Sequence, residues 1–160
     1  MPGAGRVFIV GGGPGDPGLL TVKGAQALSQ ADLVLYDDLL DERILDHTRP
    51  DCERVYAGHR GGRQSGDRQQ TINDRLVAEA RAGRTVVRLK GGDPYVFGRG
   101  GEEAIALREA GVRFEVVSGV SAAHGVLSYA GIPLTHRHVA TTATLVTGHD
   151  GANLDWDALA

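Results

Sequence analysis

The chain has 160 residues, of which 41% are hydrophobic and 23% are charged, so it is long and apolar enough to form one globular domain with a core. Its formal net charge of -3 at pH 7 excludes an overall basic surface of the kind that attracts nucleic acid or anionic membranes. The single cysteine, Cys52, cannot form an internal disulfide, and the first residues lack the pattern of a signal peptide. No apolar run approaches the roughly 20 residues of a membrane span, and we expect a cytoplasmic protein.

Short apolar runs alternate with helical patterns along most of the chain, which is typical of βα units. The predicted strands cover Arg6–Val10, Asp32–Tyr36, Arg54–Ala57, Thr85–Leu89 and Val112–Val117. The predicted helices cover Thr21–Gln30, Gln69–Arg81, Gly100–Ala110 and Ser121–Ala130. Thr21 and Ser121 are suited to cap their helices, because a hydroxyl oxygen can accept from a free N–H of the first turn. The pattern predicts an α/β fold with a mainly parallel five-stranded sheet and flanking helices.

The character of the chain changes after residue 136. Thr141–Thr147 is rich in β-branched residues and predicts a further strand. We therefore expect a first domain over residues 1–136. Residues 137–160 are expected to hold a linker and the first strand of a second α/β domain, so that the sequence is a fragment of a longer enzyme.

A first glycine loop, Gly11–Gly18, follows the first predicted strand and contains the spacing G-x-G-x-x-G. Asp37 ends the second predicted strand, where a dinucleotide fold places the acid that binds a ribose hydroxyl. Pro14 and Pro17, however, remove two N–H groups from a loop that would have to donate to a pyrophosphate. The loop is thus open to three interpretations: a nicotinamide dinucleotide site, a tight turn without a ligand, or a site for another adenosine-bearing cofactor.

A second glycine cluster, Lys90–Pro94, lies at the carboxyl end of the fourth predicted strand, where open parallel sheets bind ligands. Two glycines before Asp93 favour close approach of the backbone to a ligand and an acceptor carboxylate, although Asp93 could instead cap the next turn. Arg99, Glu102 and Glu103 could form a solvated helix start.

Four segments together resemble the uroporphyrinogen-III C-methyltransferases, which belong to the tetrapyrrole methylases and use S-adenosylmethionine. These segments are Val10–Lys23, Ala31–Asp37, Val87–Glu103 and Tyr129–Arg137. They keep the order found in the family. The run Leu-Lys-Gly-Gly-Asp-Pro within Val87–Glu103 favours this member over relatives that methylate later corrin intermediates.

The resemblance implies transfer of two methyl groups from S-adenosylmethionine to uroporphyrinogen III, which gives precorrin-2 and leaves S-adenosylhomocysteine. It also implies a homodimer and a second domain that completes the cofactor pocket, with no nucleic acid or membrane as a partner. Three alternatives remain: another precorrin methyltransferase, a dinucleotide-binding oxidoreductase domain, and a non-catalytic domain for association.

The resemblance also implies the roles of particular residues. The cofactor contacts correspond to Pro14, Gly91, Gly92, Asp93, Val96, Ser121 and Ala122. Asp37 corresponds to the catalytic aspartate, with the cap of an exposed turn as its alternative. His59 occupies the second catalytic position, where the family has a lysine; imidazole can still carry a proton but is a weaker fixed cation. A surface histidine without a role is the alternative interpretation of His59.

The substrate carries several carboxylates and therefore requires cations. Gly58–Gln70 contains Arg60, Arg63 and Arg68 against one acid, and lacks apolar periodicity, which predicts a mobile cationic loop. The spacing His136-x-His138 is compatible with metal binding, but no acid or cysteine lies nearby in sequence, and we predict no metal site.

Overall fold

The structure, a computed structural model, describes residues 5–58, 65–147 and 156, with residues 65–67 described only as backbone. The strands in this part of the chain are β1 (Arg6–Gly11), β2 (Leu33–Tyr36), β3 (Glu53–Tyr56), β4 (Thr85–Lys90) and β5 (Arg113–Val117). The helices are α1 (Val22–Ser29), α2 (Ser65–Arg81), α3 (Gly100–Glu109) and α4 (Ala122–Tyr129). Two 3₁₀ helices cover Pro17–Leu19 and Glu42–His47. None of the helices described here combines the length and hydropathy needed to cross a membrane.

The five strands form one sheet in the order β3-β2-β4-β1-β5, and every pairing is parallel. The predicted α/β fold with a parallel sheet is therefore confirmed. β1 lies between β4 and β5, with Val7 opposite Val86 on one side and Phe114 on the other. This order matters for the site because it sets which loops are neighbours at the carboxyl ends of the strands.

Side chains of β1 alternate between two apolar layers, as expected for a strand covered on both faces. Phe8 and Val10 pack in one layer, together with Leu28 of α1 and Ile44. Val7 and Ile9 pack in the opposite layer, whose other members include Leu76 of α2 and Leu107 of α3. The sheet is thus buried between α1 with the second 3₁₀ helix on one face and α2 with α3 on the other.

The predicted caps at Thr21 and Ser121 are confirmed. The hydroxyl of Thr21 accepts from the N–H of Gly24 at 3.1 Å, and that of Ser121 accepts from Ala123 at 3.2 Å. Each interaction satisfies one of the backbone donors that a helix start leaves free. The Ser121 cap fixes where α4 begins beside the loop after β5.

The structure corrects three expectations. Helix α2 begins at Ser65 and not at the predicted Gln69. The sequence did not indicate the first turn because that turn is polar and carries no apolar periodicity. The strand predicted over Thr141–Thr147 is not formed: β-branched residues favour a strand only where a neighbouring edge pairs with them, and no pairing is assigned to this segment. The 3₁₀ helix Glu42–His47 was not predicted, because six residues are too few to show a helical period.

Candidate functional site

The strand order brings four loops to one edge of the sheet. β2, β4, β1 and β5 are consecutive neighbours and all parallel, so the segments that follow them leave at the same edge. These segments carry Asp37, the Lys90–Pro94 turn, the Gly11–Gly18 loop and Ser121, in that order across the sheet. Residues distant in sequence therefore meet at the position where open α/β sheets bind ligands.

The two glycine loops are hydrogen-bonded to each other. The N–H of Gly13 donates to the carbonyl of Gly92 at 3.2 Å, and the N–H of Gly92 donates to Gly13 at 2.7 Å, which makes an antiparallel bridge. Gly12 donates to the carbonyl of Lys90 at 2.7 Å. Gly92 has a φ of +63°, a conformation that L side chains rarely adopt. The loops thus form one joined unit.

A third loop packs against this unit through its backbone. A Cβ atom placed on Gly119 would overlap the carbonyl oxygen of Gly92 and would lie 2.7 Å from the Cα atom of Gly11. The carboxylate of Asp93 reinforces this packing, since its Oδ2 accepts from the N–H of Gly119 at 3.0 Å and its Oδ1 from that of Tyr95 at 2.8 Å. Asp93 therefore caps the next turn, as the alternative interpretation had it, and also ties two loops together.

A cleft of about 1100 Å³ opens beside these loops. Its lining includes eight of the nine predicted site residues: Pro14, Asp37, Gly91, Gly92, Asp93, Val96, Ser121 and Ala122. The ninth, His59, lies outside the described residues, as do Arg60 and Arg63 of the predicted cationic loop. Arg68 is described; it belongs to α2 and lines the cleft. The prediction of a loop is therefore wrong for residues 65–70, which are helical.

The first glycine loop is also attached to α4. A Cβ atom on Gly125 would lie 2.9 Å from Cγ of Pro14, so the proline ring packs closely on the helix. The Tyr129 hydroxyl donates to the Asp16 carboxylate, which lowers the pKa of Asp16 and raises that of Tyr129. These contacts fix Pro14 against α4 at the wall of the cleft, which Ala122 of the same helix also lines.

Asp37 lies at the start of the loop after β2, with its side chain 21% exposed. Its Oδ1 accepts from the N–H of Leu39 at 3.4 Å, which is the turn cap expected as the alternative to a catalytic role. Its Oδ2 lies 3.4 Å from Nη2 of Arg88. The carboxylate is therefore held at the cleft wall between its own turn and a buried cation.

A group of buried charges lies beside Asp37, with Arg88 and Lys90 themselves lining the cleft, and the sequence did not predict it. Arg88 and Lys90 are each 4% exposed, and Glu103 is fully buried. The interpretation of Arg99, Glu102 and Glu103 as a solvated helix start, left open above, is wrong for Glu103; the neighbouring pair Arg99–Glu102 is exposed. Burial lowers the pKa of Lys90, the nearby Arg88 lowers it further, and Glu103 opposes both effects.

A signal for this group was present in the sequence. Arg88 and Lys90 are two residues apart in an otherwise apolar strand, so they point to the same face of the sheet. A buried cation requires a buried anion. The first turn of α3 supplies the acids, but sequence alone does not tell whether Glu102 or Glu103 points inward.

The hydrogen bonds of the first glycine loop disfavour a dinucleotide site. The N–H groups of Gly12 and Gly13 donate to carbonyls of the Lys90–Pro94 turn, and that of Gly18 donates to the carboxylate of Asp16. Pro14 and Pro17 have no N–H to offer. A pyrophosphate would therefore find few free donors where the dinucleotide motif requires them.

Among the described residues, no group of three or more His, Cys, Asp or Glu side chains is placed to bind a metal ion. In the segment His136-x-His138, Nδ1 of His136 lies 2.9 Å from the carbonyl oxygen of Arg137. His138 has a φ of +66°.

Comparison with known proteins gives consistent results. The family model of the Tetrapyrrole (Corrin/Porphyrin) Methylases matches residues 6–160. Siroheme synthase 1 of Yersinia enterocolitica is 53% identical over 159 residues, and the siroheme synthase of Sodalis glossinidius is 57% identical over 159 residues. In both cases the match covers 98% of this chain and 34% of the relative, so the chain spans about a third of these relatives.

Solved structures show the same likeness. The uroporphyrin-III-C-methyltransferase from Thermus thermophilus has a TM-score of 0.81 at 48% identity, covering 93% of this chain and 63% of that one. A structure of the Thermus thermophilus enzyme complexed with S-adenyl homocysteine has a TM-score of 0.69 at 49% identity, covering 86% and 53% of the two chains. A cobalt precorrin-4 methyltransferase has a TM-score of 0.73 at 32% identity, covering 88% of this chain and 56% of that one.

Proposed function

The chain belongs to the tetrapyrrole methylase family, and on this premise we propose that it is the cofactor-binding part of a uroporphyrinogen-III C-methyltransferase that uses S-adenosylmethionine and yields precorrin-2. The observation that carries the proposal is the cleft where Pro14, Gly92, Ser121 and Asp37 converge from four different loops. The Thermus thermophilus uroporphyrin-III C-methyltransferases, at 48 to 50% identity, support this substrate over a later corrin intermediate.

The residues of the cleft suit S-adenosylmethionine. Gly91 and Gly92 present bare backbone to the cavity, and Val96, Ala122 and Leu127 provide apolar walls for a nucleoside base. Asp37 and Asp38 line the same cavity and bring negative charge toward a cationic ligand. A volume of about 1100 Å³ is sufficient for a ligand of this size.

The chemistry requires positioning and one proton acceptor. S-adenosylmethionine supplies a methyl group whose bond to sulfur breaks as a bond to a substrate carbon forms, the electron pair staying on sulfur. Because the donor is already activated, the protein mainly has to hold the two reactants in line. A proton must then leave the methylated ring, and we assign its acceptance to Asp37, with His59 as a second proton carrier.

Arg68 is suited to bind a substrate carboxylate. It lines the cleft from the first turns of α2, and its Nη1 is buried without a hydrogen-bond partner among the described residues. A buried guanidinium nitrogen without a partner is costly, and a ligand carboxylate would satisfy it. We extend this role to Arg60 and Arg63 on the sequence pattern alone.

The family resemblance also supports proposals about the second domain, the oligomeric state and the location of the full enzyme. We propose that residues 137–160 lead into a second α/β domain that completes the cleft, and that the full enzyme is a cytoplasmic homodimer without a nucleic-acid or membrane partner. Leu134, Thr144, Leu145 and Val146 already line the cleft, which supports a contribution from the segment after α4.

Titration calorimetry of the full-length protein tests the cofactor assignment. We expect S-adenosylhomocysteine to bind and NAD not to bind. A methyl-transfer assay with uroporphyrinogen III and S-adenosylmethionine tests the reaction, with a precorrin-4 analogue as the competing substrate class. Binding of NAD in preference to S-adenosylhomocysteine would refute the assignment.

The role of Asp37 has a separate test. Asp37→Asn keeps the shape of the side chain and its turn contact but removes the negative charge. We expect this variant to bind S-adenosylhomocysteine within about twofold of wild type while kcat falls by about 100-fold or more, as general bases contribute roughly 10² to 10⁴. Asp46→Asn, an exposed acid that does not line the cleft, is the matched control. Wild-type kcat in Asp37→Asn would exclude the carboxylate as the base.

A further inference from the structure

The buried charges at the cleft arise from the alternation of side chains along β4, which places Arg88 and Lys90 in its lining. Val86 packs in the apolar layer shared with α2 and α3, and Arg88 and Lys90 follow it on the same face of the strand. Val87 and Leu89 point to the opposite layer. The core on this face thus changes from apolar to ionic toward the carboxyl end of β4, which is the end that borders the cleft.

Glu103 is the common acceptor of this ionic group. Its Oε1 lies 2.9 Å from Nε of Arg88, 3.1 Å from Nζ of Lys90 and 3.3 Å from Nε2 of Gln69. The carboxylate comes from the first turn of α3, where a helix also favours negative charge. Removing it would leave two buried cations facing each other without their shared anion.

Arg88 connects Glu103 to Asp37 at the cleft wall. Its Nη1 donates to the carbonyls of Leu35 at 3.3 Å and of Leu89 at 3.0 Å, its Nε donates to Glu103, and its Nη2 points to Asp37. The planar guanidinium is therefore fixed on three sides, and its fourth direction faces the carboxylate at the cleft wall. Among the described residues, Asp37 has one other polar contact, from the N–H of Leu39, and it is as long as the contact from Arg88 at 3.4 Å. Arg88 differs in carrying a full positive charge, so it supplies the ionic part of what holds the carboxylate.

We propose that Glu103 is a positioning residue for methyl transfer: it fixes the guanidinium of Arg88, which in turn holds the Asp37 carboxylate at the cleft wall. Lys90 completes the group as the second cation, so that two cations and two anions balance. The proposal rests on the function assigned to Asp37 above. Glu103 itself is fully buried and does not line the cleft.

A double-mutant cycle in the full-length enzyme tests the proposal, with Glu103→Gln, Asp37→Asn and the combination. Glu103→Gln should lower kcat by about 10- to 100-fold, the scale of a small misplacement in a catalytic site, and leave S-adenosylhomocysteine affinity within about twofold. In the Asp37→Asn background, single-turnover assays should show less than about twofold further loss, because the carboxylate being positioned is absent. Glu109→Gln, an exposed acid on the same helix, is the matched control.

A substitute variant and a second readout complete the test. If Glu103→Gln does not fold, Arg88→Lys replaces it in the cycle, because lysine keeps the charge but loses the fork of donors. The ¹³C resonance of the Asp37 carboxyl reports the same coupling without turnover, and it should shift in Glu103→Gln and not in Glu109→Gln.

The outcomes separate this proposal from the function. A kcat loss of the same size in both backgrounds, or an Asp37 resonance and kcat unchanged by Glu103→Gln, would overturn the positioning role while wild-type methyl transfer stands. A wild-type enzyme that binds S-adenosylhomocysteine but transfers no methyl group to uroporphyrinogen III would instead overturn the assigned function, and this proposal with it.

Discussion

The contact of three loop backbones at Gly119 predicts that a single methyl group will disturb the whole site. In Gly119→Ala the new Cβ would overlap the carbonyl oxygen of Gly92 and lie 2.7 Å from the Cα of Gly11, whereas ordinary contacts begin at 3.4 Å. The atoms in the way are backbone, so no side chain can rotate aside. The loops must therefore separate by about 0.7 Å or more.

The cost of that separation can be worked from the contacts. Overpacking of this kind typically costs about 1–3 kcal/mol. The two hydrogen bonds between Gly13 and Gly92, now 3.2 and 2.7 Å, would lengthen or break, at about 1 kcal/mol each. We expect Gly119→Ala to lower the free energy of unfolding by about 2–5 kcal/mol, and to weaken S-adenosylhomocysteine binding at least tenfold because the cleft wall moves.

Gly101→Ala is the matched control for this prediction. Gly101 lies in the first turn of α3, and a Cβ atom there would meet nothing within 4 Å. Alanine is favoured over glycine in a helix by about 0.5–1 kcal/mol, so this variant should be neutral or slightly more stable. Urea denaturation and titration calorimetry measure both variants. Equal stability and equal affinity in Gly119→Ala and Gly101→Ala would refute the view that the loops are held together by close backbone packing.

Two further predictions concern carboxylates. Asp93→Ala should weaken S-adenosylhomocysteine binding at least tenfold, because Gly119 loses its acceptor, and Asp93→Asn, which retains one acceptor oxygen, should fall between Asp93→Ala and wild type; equal affinity of all three proteins in calorimetry would contradict this. The pKa of Asp32 lies below its ordinary value of 3.8, chiefly because the carboxylate accepts from the N–H of Thr85. The ionised carboxylate therefore stabilises the fold at neutral pH, and this contribution is lost as the pH falls through the lowered pKa. The free energy of unfolding, measured by urea denaturation between about pH 6 and pH 3, should therefore decline less steeply in Asp32→Asn than in wild type, and equal slopes would exclude this contribution.

The sequence predicted the elements of the fold well because their signals are local. The predicted strand Thr85–Leu89 and the cap at Thr21 each depend on a few consecutive residues. The state of Glu103 could not be predicted in this way, since it depends on how α3 is rotated over the sheet. Thr141–Thr147 shows the opposite error: its composition favours a strand, but a strand forms only beside an edge that pairs with it.

Most residues that line the cleft could be predicted from the sequence, but the contacts that join its loops could not. The resemblance supplied Pro14, Gly92 and Ser121, and parallel strand order explains why they meet at one edge. What it did not supply is how the loops are joined, because hydrogen bonds between Gly13 and Gly92 link residues 79 positions apart. Such contacts leave no periodic trace in a sequence.

The glycines of this chain show why the spacing G-x-G-x-x-G is a weak guide to cofactor class. In a dinucleotide site, glycines expose N–H groups to a pyrophosphate at the start of a helix. Here the N–H groups of Gly12 and Gly13 are used within the protein, Pro14 removes another, and a 3₁₀ helix, Pro17–Leu19, follows in place of a long helix. A loop built this way offers a cofactor a shaped wall and few donors, which suits a cationic nucleoside better than a diphosphate. The prolines, and not the glycines, are therefore the residues that separate the two classes.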